Sequence, residues 1–178
     1  MSVDTLIETI TFWFFVGTLA ERLTELVVSK RNTAWSLKQG GVEYGAEHYK
    51  VMVAMHTLFL VSMLAEFFWL GSDLSSNARF LAVVVAFLCQ ICRLWIIRTL
   101  GQQWNTRVII VPGLTRVLRG PYRFLTHPNY VVVAIEMVAL PLVFGAWRTA
   151  VVFSLLNGWM MIVRLRVENA ALAQLKTT

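Results

Sequence analysis

Leu81-Ala82-Val83-Val84-Val85-Ala86-Phe87-Leu88 is the stretch that decides the fold, because its apolar residues follow one another with no alternation of polarity. A membrane β-strand alternates lipid-facing and lumen-facing residues over about ten positions, so this run does not fit a barrel. The sequence stays largely apolar from residue 78 to residue 99. That is enough for a helix to cross a bilayer, which takes roughly 20 such residues. Lipid admits only helices and closed barrels as spanning structures, since each backbone polar group must be satisfied without water. The run therefore reads as a transmembrane helix.

Outward from it, segments of the same kind lie at about 5–28, 49–70, 129–147 and 149–165. The expected fold is all-α, an integral membrane bundle of about five transmembrane helices forming a single domain over residues 1–178. Composition agrees: 57% of residues are hydrophobic, against about 45–50% in soluble domains. Mean hydropathy is +0.64. The polar stretches are too short for a separate soluble domain. Met1-Ser2-Val3-Asp4 lacks the basic start and small-residue cleavage site of a signal peptide, so the first span is expected to be retained. The last two segments are joined by only Gly145-Ala146-Trp147-Arg148-Thr149. This predicts a tight helical hairpin, with Pro141 bending its first arm.

The net charge of +6 invites a nucleic-acid partner. The basic residues are not clustered with exposed aromatics, however, and no nucleic acid is expected. They sort by loop instead. One side of a five-span bundle carries Lys30, Arg31, Lys38, Lys50, Arg98, Arg107, Arg116, Arg119, Arg123, Arg164, Arg166 and Lys176, while the other carries only Arg79 and Arg148. The positive-inside rule makes the first side cytoplasmic, with the N-terminus outside and the C-terminus inside. Cys89 and Cys92 have C-x-x-C spacing within an apolar run. With no second pair or ligand cluster nearby, they read as small buried hydrophobes, and no metal is expected.

The polar loop Gly120-Pro121-Tyr122-Arg123-Phe124-Leu125-Thr126-His127-Pro128-Asn129-Tyr130 lies between two of these segments. A helix start with interfacial aromatics accounts for Pro128 and Tyr130. It does not account for Tyr122, Arg123 and His127 gathered beside them, which suggests a ligand. Arg164 and Glu168 are four residues apart and share a helix face. A surface ion pair is the plain interpretation. Their place at a span end, where ionisable groups usually face a cavity or the bundle interior, favours a site. The hairpin returns them to the face that carries the 120–130 loop.

Glu8, Glu21, Arg22, His56, Glu66, Arg93 and Glu136 are polar groups within spans, and structural pairing is expected for most. Arg93 is a plausible mate for one of the carboxylates. Glu136 lies beyond Tyr130 on the same helix, where it can line a substrate tunnel. The 29–48 loop, with Glu43, Glu47 and His48, matches no metal spacing and reads as a folded cytoplasmic cap. The loop from Gly101 to Gly113, with Gln103, Trp104, Asn105 and Arg107, suits part of a cofactor cradle.

His127-Pro128-Asn129-Tyr130, preceded by Gly120-Pro121-Tyr122-Arg123 and followed by the R-x-x-x-E of Arg164–Glu168, resembles the isoprenylcysteine carboxyl methyltransferase family. More closely it is similar to the short bacterial branch that includes alkylpyrone O-methylating enzymes. The resemblance extends to Ser29-Lys30-Arg31-Asn32, to residues 104–113 (WNTRVIIVPG) and to Asn157. It implies a membrane-embedded O-methyltransferase that uses S-adenosylmethionine, in a bacterial inner membrane. By motif, Tyr122, His127, Pro128, Asn129, Tyr130 and Glu168 are implied to hold the cofactor. Leu114, Thr115, Arg116 and Val117 correspond to the family's cofactor loop by distance alone. Arg164 is implied to orient the substrate and, with Glu168, to serve catalysis. The implied acceptor is a lipophilic small molecule or prenylated substrate with a carboxylate or acidic hydroxyl. Thr126 stands where the family often has arginine, and Asn169 where it often has a second carboxylate. Rival classes are the membrane sterol reductases, which share an HPNY-like motif and bind NADPH, and non-catalytic lipid-binding subunits.

Overall fold

The computed structural model describes residues 3–72 and 74–174. Lys176 and the side chain of Glu8 lie outside what it describes. The described elements are, in order, α1 (Val3–Lys38), β1 (Val42–Tyr44), α2 (Ala46–Leu70), α3 (Ser76–Leu100), a 3-10 turn (Gly101–Gln103), β2 (Val108–Ile110), a second 3-10 turn (Gly120–Arg123), α4 (Pro128–Val143) and α5 (Trp147–Gln174). The protein is an all-α membrane bundle. Its strands form only a two-stranded antiparallel ribbon, with Val42 opposite Ile110 and Tyr44 opposite Val108.

Three helices among the described residues are long and apolar enough to cross a membrane: 46–70, 76–103 and 147–173. The fourth expected segment is a shorter apolar helix, α4. Its 16 residues span about 24 Å at 1.5 Å per residue, less than the roughly 30 Å hydrocarbon core. Pro141 lies in the last turn of α4 and the chain reverses just beyond it, with the amides of Phe144 and Ala146 donating to the Pro141 carbonyl.

The first segment departs most from expectation. Residues 29–38, assigned above to a loop, continue α1. The cap over the site is therefore the end of a long helix followed by the β1–β2 ribbon. The composition of its inner face explains why. Among the described side chains of α1, Thr11, Thr18, Glu25, Ser29, Asn32 and Ser36 are buried, while Phe12, Trp13, Leu19, Leu23, Leu26 and Val27 are exposed. The buried positions recur every three, four or seven residues, which is one helix stripe. A soluble helix buries its apolar stripe. In lipid that stripe gains nothing from burial, and polar groups hold helices together instead. Apolar packing is concentrated between α2, α3, α4 and α5, around Phe59, Met63, Ala86, Met137, Val143 and Phe144.

Two polar clusters hold the bundle. Deep inside, Arg22 and Arg93 face Glu25 and Glu136. Each carboxylate bridges both guanidiniums: Arg22 is 2.8 Å from Glu25 and 2.7 Å from Glu136, and Arg93 contacts Glu25 and lies 3.1 Å from Glu136. The expected pairing of Arg93 is present, and Glu136 belongs to this ring. The four charges cancel, so a set on three helices carries no net charge, with Glu25, Arg93 and Glu136 buried and Arg22 partly so. At the other end of the bundle, buried Glu66 of α2 accepts the amides of Arg148 at 3.0 Å and Thr149 at 2.7 Å. These are first-turn amides of α5 with no partner inside the helix, and a carboxylate there is also favoured by the helix dipole.

Candidate functional site

The site begins with the polar stripe on α1. Asn32 donates to the carbonyls of Gly101 at 3.0 Å and Trp104 at 2.7 Å. The Ser29 hydroxyl meets that of Thr106 at 2.7 Å and accepts the Thr106 amide at 3.1 Å. Thr33 and Ser36 engage the two ends of the Asn105 side-chain amide. A segment without regular structure thus has its backbone groups satisfied by side chains and is held in one shape. Its Thr106 carbonyl then accepts from Arg164 Nη2 at 2.5 Å.

The 120–130 loop supplies the opposite wall. Gly120 has φ +58°, and a Cβ there would stand 2.6 Å from Thr99 Oγ1, so the turn that launches Pro121 and Tyr122 needs glycine. Pro128 opens α4 as its first helical residue and is buried. This places Asn129 and Tyr130 in the first turn, where the Tyr130 hydroxyl meets Arg164 and Glu168 of α5.

Arg164 and Glu168 do not form a direct ion pair among the described contacts. Tyr130 joins them: its hydroxyl accepts from Arg164 Nε at 2.9 Å and donates to Glu168 Oε2 at 2.5 Å. Glu168 Oε1 lies 3.5 Å from His127 Nδ1. This hydrogen bond, opposed in part by burial, raises the His127 pKa above that of an ordinary imidazole. Burial, aided by the Glu168 carboxylate, pushes the Tyr122 phenol upward and keeps it a neutral hydroxyl. Arg164 Nη1 also contacts Met52 Sδ at 2.7 Å, which anchors the guanidinium to α2.

Two cavities meet at this network. One, of about 120 Å³, is lined by Tyr122, His127, Asn129, Tyr130, Arg164 and Glu168, with the 103–110 segment completing it. The other, of about 290 Å³, runs into the bundle between α1, α2, α4 and α5 and is mostly apolar, with Met52, His56, Leu60, Val133, Met137 and Glu136 on its walls. Trp104, Asn105, Asn129, Tyr130 and Arg164 line both.

Most of the sequence-expected site residues come together here. Glu136 is on the wall of the apolar cavity with its carboxylate committed to the charge ring. Leu114, Thr115 and Arg116 are exposed and Val117 is partly so, and none lines either cavity. Arg116 instead reaches back to the Thr126 carbonyl at 3.5 Å. It supplies a cation beside Thr126, while Arg123 stacks on Phe124 at 5.9 Å. Met52 is a site residue that sequence patterns do not single out. Thr106 falls within the 104–113 stretch noted above, which gives it no role of its own; the run of small polar residues on α1 that binds its segment is the signal for one.

Fold and site together define a membrane protein with a polar and an apolar cavity joined at one arginine. The chain belongs to the isoprenylcysteine carboxyl methyltransferase (ICMT) family, whose sequence model matches residues 81–174. This places it among the membrane methyltransferases in general. It is 37% identical over 164 residues to the uncharacterized protein YpbQ of Bacillus subtilis strain 168, covering 92% of this chain and 97% of that one. It is 23% identical over 163 residues to an uncharacterized protein of Haemophilus influenzae, covering 90% of this chain and 94% of the relative. No solved structure gives a significant match.

Proposed function

We propose that the protein is an S-adenosylmethionine-dependent O-methyltransferase acting on a lipophilic acceptor, a carboxylate or acidic hydroxyl such as that of an alkylpyrone or isoprenylcysteine. The observation that carries this is the junction of the two cavities. A water-soluble cofactor and a membrane-dissolved acceptor need separate compartments that touch, and Arg164 and Tyr130 belong to both walls.

The residues of the smaller cavity suit the cofactor. Glu168 offers a carboxylate to a cationic or hydroxyl-bearing ligand, and Tyr122 and Trp104 offer aromatic surface. Asn129 Oδ1 is buried with no partner, an unmet acceptor that an ammonium or amino group satisfies. When bound, S-adenosylmethionine supplies an electrophilic methyl group. The chain's part is to align the acceptor and keep water away. Alignment alone supplies roughly 7–11 kcal/mol of barrier reduction in favourable cases. Arg164, fixed by Tyr130, Thr106 and Met52, still has donors free for an anionic oxygen. Met52, Val133 and Met137 give its alkyl or prenyl tail an apolar channel.

In this proposal the bundle is a multi-pass protein of a bacterial inner membrane, with the site and the C-terminus on the cytoplasmic side. Exposed Leu118, Phe124 and Leu125 are interleaved with Arg116, Arg119 and Arg123 around the site, a composition suited to the headgroup boundary. Equilibrium binding of radiolabelled S-adenosylmethionine and of NADPH to the purified protein tests the cofactor assignment. Saturable binding of the first alone is expected; binding of NADPH alone overturns it.

A further inference from the structure

His56 is a titratable group in the apolar cavity to which the chemistry above gives no role. Its Nδ1 lies 2.9 Å from the carbonyl of Met52, one turn earlier on α2. A carbonyl only accepts, so Nδ1 carries the hydrogen, and in the neutral ring Nε2 is the lone-pair nitrogen. Nε2 has no hydrogen-bond partner among the described residues. The charged groups that share the cavity are Arg22, Glu25, Arg93, Glu136 and Arg164. Each oxygen of Glu25 and Glu136 already accepts from a guanidinium. Of the cavity's two tyrosines, Tyr49 meets the Thr106 hydroxyl at 3.4 Å and Tyr130 bridges Arg164 and Glu168. His56 is thus the one base on the described wall not saturated by a cation. It shares that cavity wall with the reaction end: Met52 touches Arg164 through its sulfur, and His56 is one turn, about 5.4 Å, further along α2.

We propose that His56 is the general base of the methyl transfer when the acceptor is a hydroxyl of phenol or enol type, the class named above beside the carboxylate. This rests on the methyltransferase function proposed above. A carboxylate is ionised at neutral pH and needs no base. A phenol, with a pKa of about 10, must shed a proton as its oxygen is methylated. The acceptor's O–H bond breaks, with the proton passing to His56 Nε2. An O–CH3 bond forms as the methyl–sulfur bond of S-adenosylmethionine breaks. Its electron pair stays on sulfur, leaving S-adenosylhomocysteine, a methyl ether and an imidazolium that later loses its proton to solvent. Arg164 stabilises the oxygen as charge develops on it.

The test compares wild type, His56→Gln and His56→Phe as full chains in nanodiscs, with 3-pentadecylphenol and palmitate as acceptors. General-base removal typically costs about 10²–10⁴-fold. Phenol methylation at pH 7 is expected to fall at least about 100-fold in both variants. Affinity for S-adenosylmethionine should be unchanged, and the deficit should shrink as the pH approaches the phenol's own ionisation. A reading without cofactor comes from 4-nonyl-2-nitrophenol, whose phenolate absorbs visible light. Its apparent pKa when bound should be at least about one unit lower in wild type than in His56→Phe. Overturning results are a wild type that methylates palmitate but not the phenol, or variants that keep both the phenol rate and the nitrophenol pKa. A wild type that binds no S-adenosylmethionine instead fails the parent function and removes the basis for this one.

Discussion

Tyr130→Phe is the most informative single substitution, because one hydroxyl links the two charged residues of the site. The change removes no ring and no apolar contact. It leaves Arg164 Nε without its acceptor at 2.9 Å and Glu168 Oε2 without its donor at 2.5 Å. A hydrogen bond to a charged group contributes about 1.5–3 kcal/mol. Two are lost, but the freed groups have opposite charge and neighbouring positions on α5. Arg164 also keeps Thr106 and Met52, and Glu168 keeps His127. Recovery of about one bond's worth leaves a net cost of about 1.5–3 kcal/mol. At 1.36 kcal/mol per decade this is a loss of about 10- to 150-fold in kcat/KM for methyl transfer. The assay is incorporation of labelled methyl from S-adenosylmethionine into lipid extract, with a melting curve in the same detergent to confirm folding. A double-mutant cycle with Glu168→Gln should show strong non-additivity, since both changes break the same link. A folded Tyr130→Phe protein within twofold of wild type would refute the view that this hydroxyl organises the site.

The pKa of His127 is raised in the folded protein by its bond to Glu168. Its stabilising contribution is therefore fully present below the ordinary imidazole pKa of about 6.5 and is lost as pH rises through the higher folded value. Thermal melts across that window should show a decline in wild type that His127→Gln lacks. Arg93→Ala leaves Glu25 and Glu136 sharing one guanidinium inside the bundle, and should cost about 3–5 kcal/mol in denaturant titration; a change under about 1 kcal/mol would show that the ring is not buried as described. Gly120→Ala forces a side chain onto a φ of +58° and against Thr99. It should destabilise by about 1–2 kcal/mol on backbone grounds alone and weaken cofactor binding measured by calorimetry.

The bundle was legible because lipid enforces a simple rule: long apolar runs become helices, and residues 46–70 and 76–100 fall within a few residues of expectation. The end of the first helix was not legible by that rule. Residues 29–38 are polar, and polarity alone reads as a loop. Only their spacing, with Ser29, Asn32 and Ser36 on one face, shows that they continue α1 to hold another segment. The motif residues around His127 and Arg164 were readable as chemistry out of place at a span boundary. The roles of Thr106 and Met52 were not, because one meets Arg164 through its carbonyl and the other through an apolar side chain. Leu114–Val117 shows the converse: distance along the chain from Gly120 does not fix direction in space, and the segment lies on the outside.

The central claim is that Arg164 stands where a cofactor cavity and an acceptor cavity meet. The most direct measurement is transfer of labelled methyl from S-adenosylmethionine to membrane lipids by wild type, Arg164→Ala and Glu168→Ala in nanodiscs. Transfer by wild type and a loss of at least about tenfold in each variant, equivalent to about 1.4 kcal/mol of barrier, is the expected result. Wild-type rates in both folded variants would contradict it.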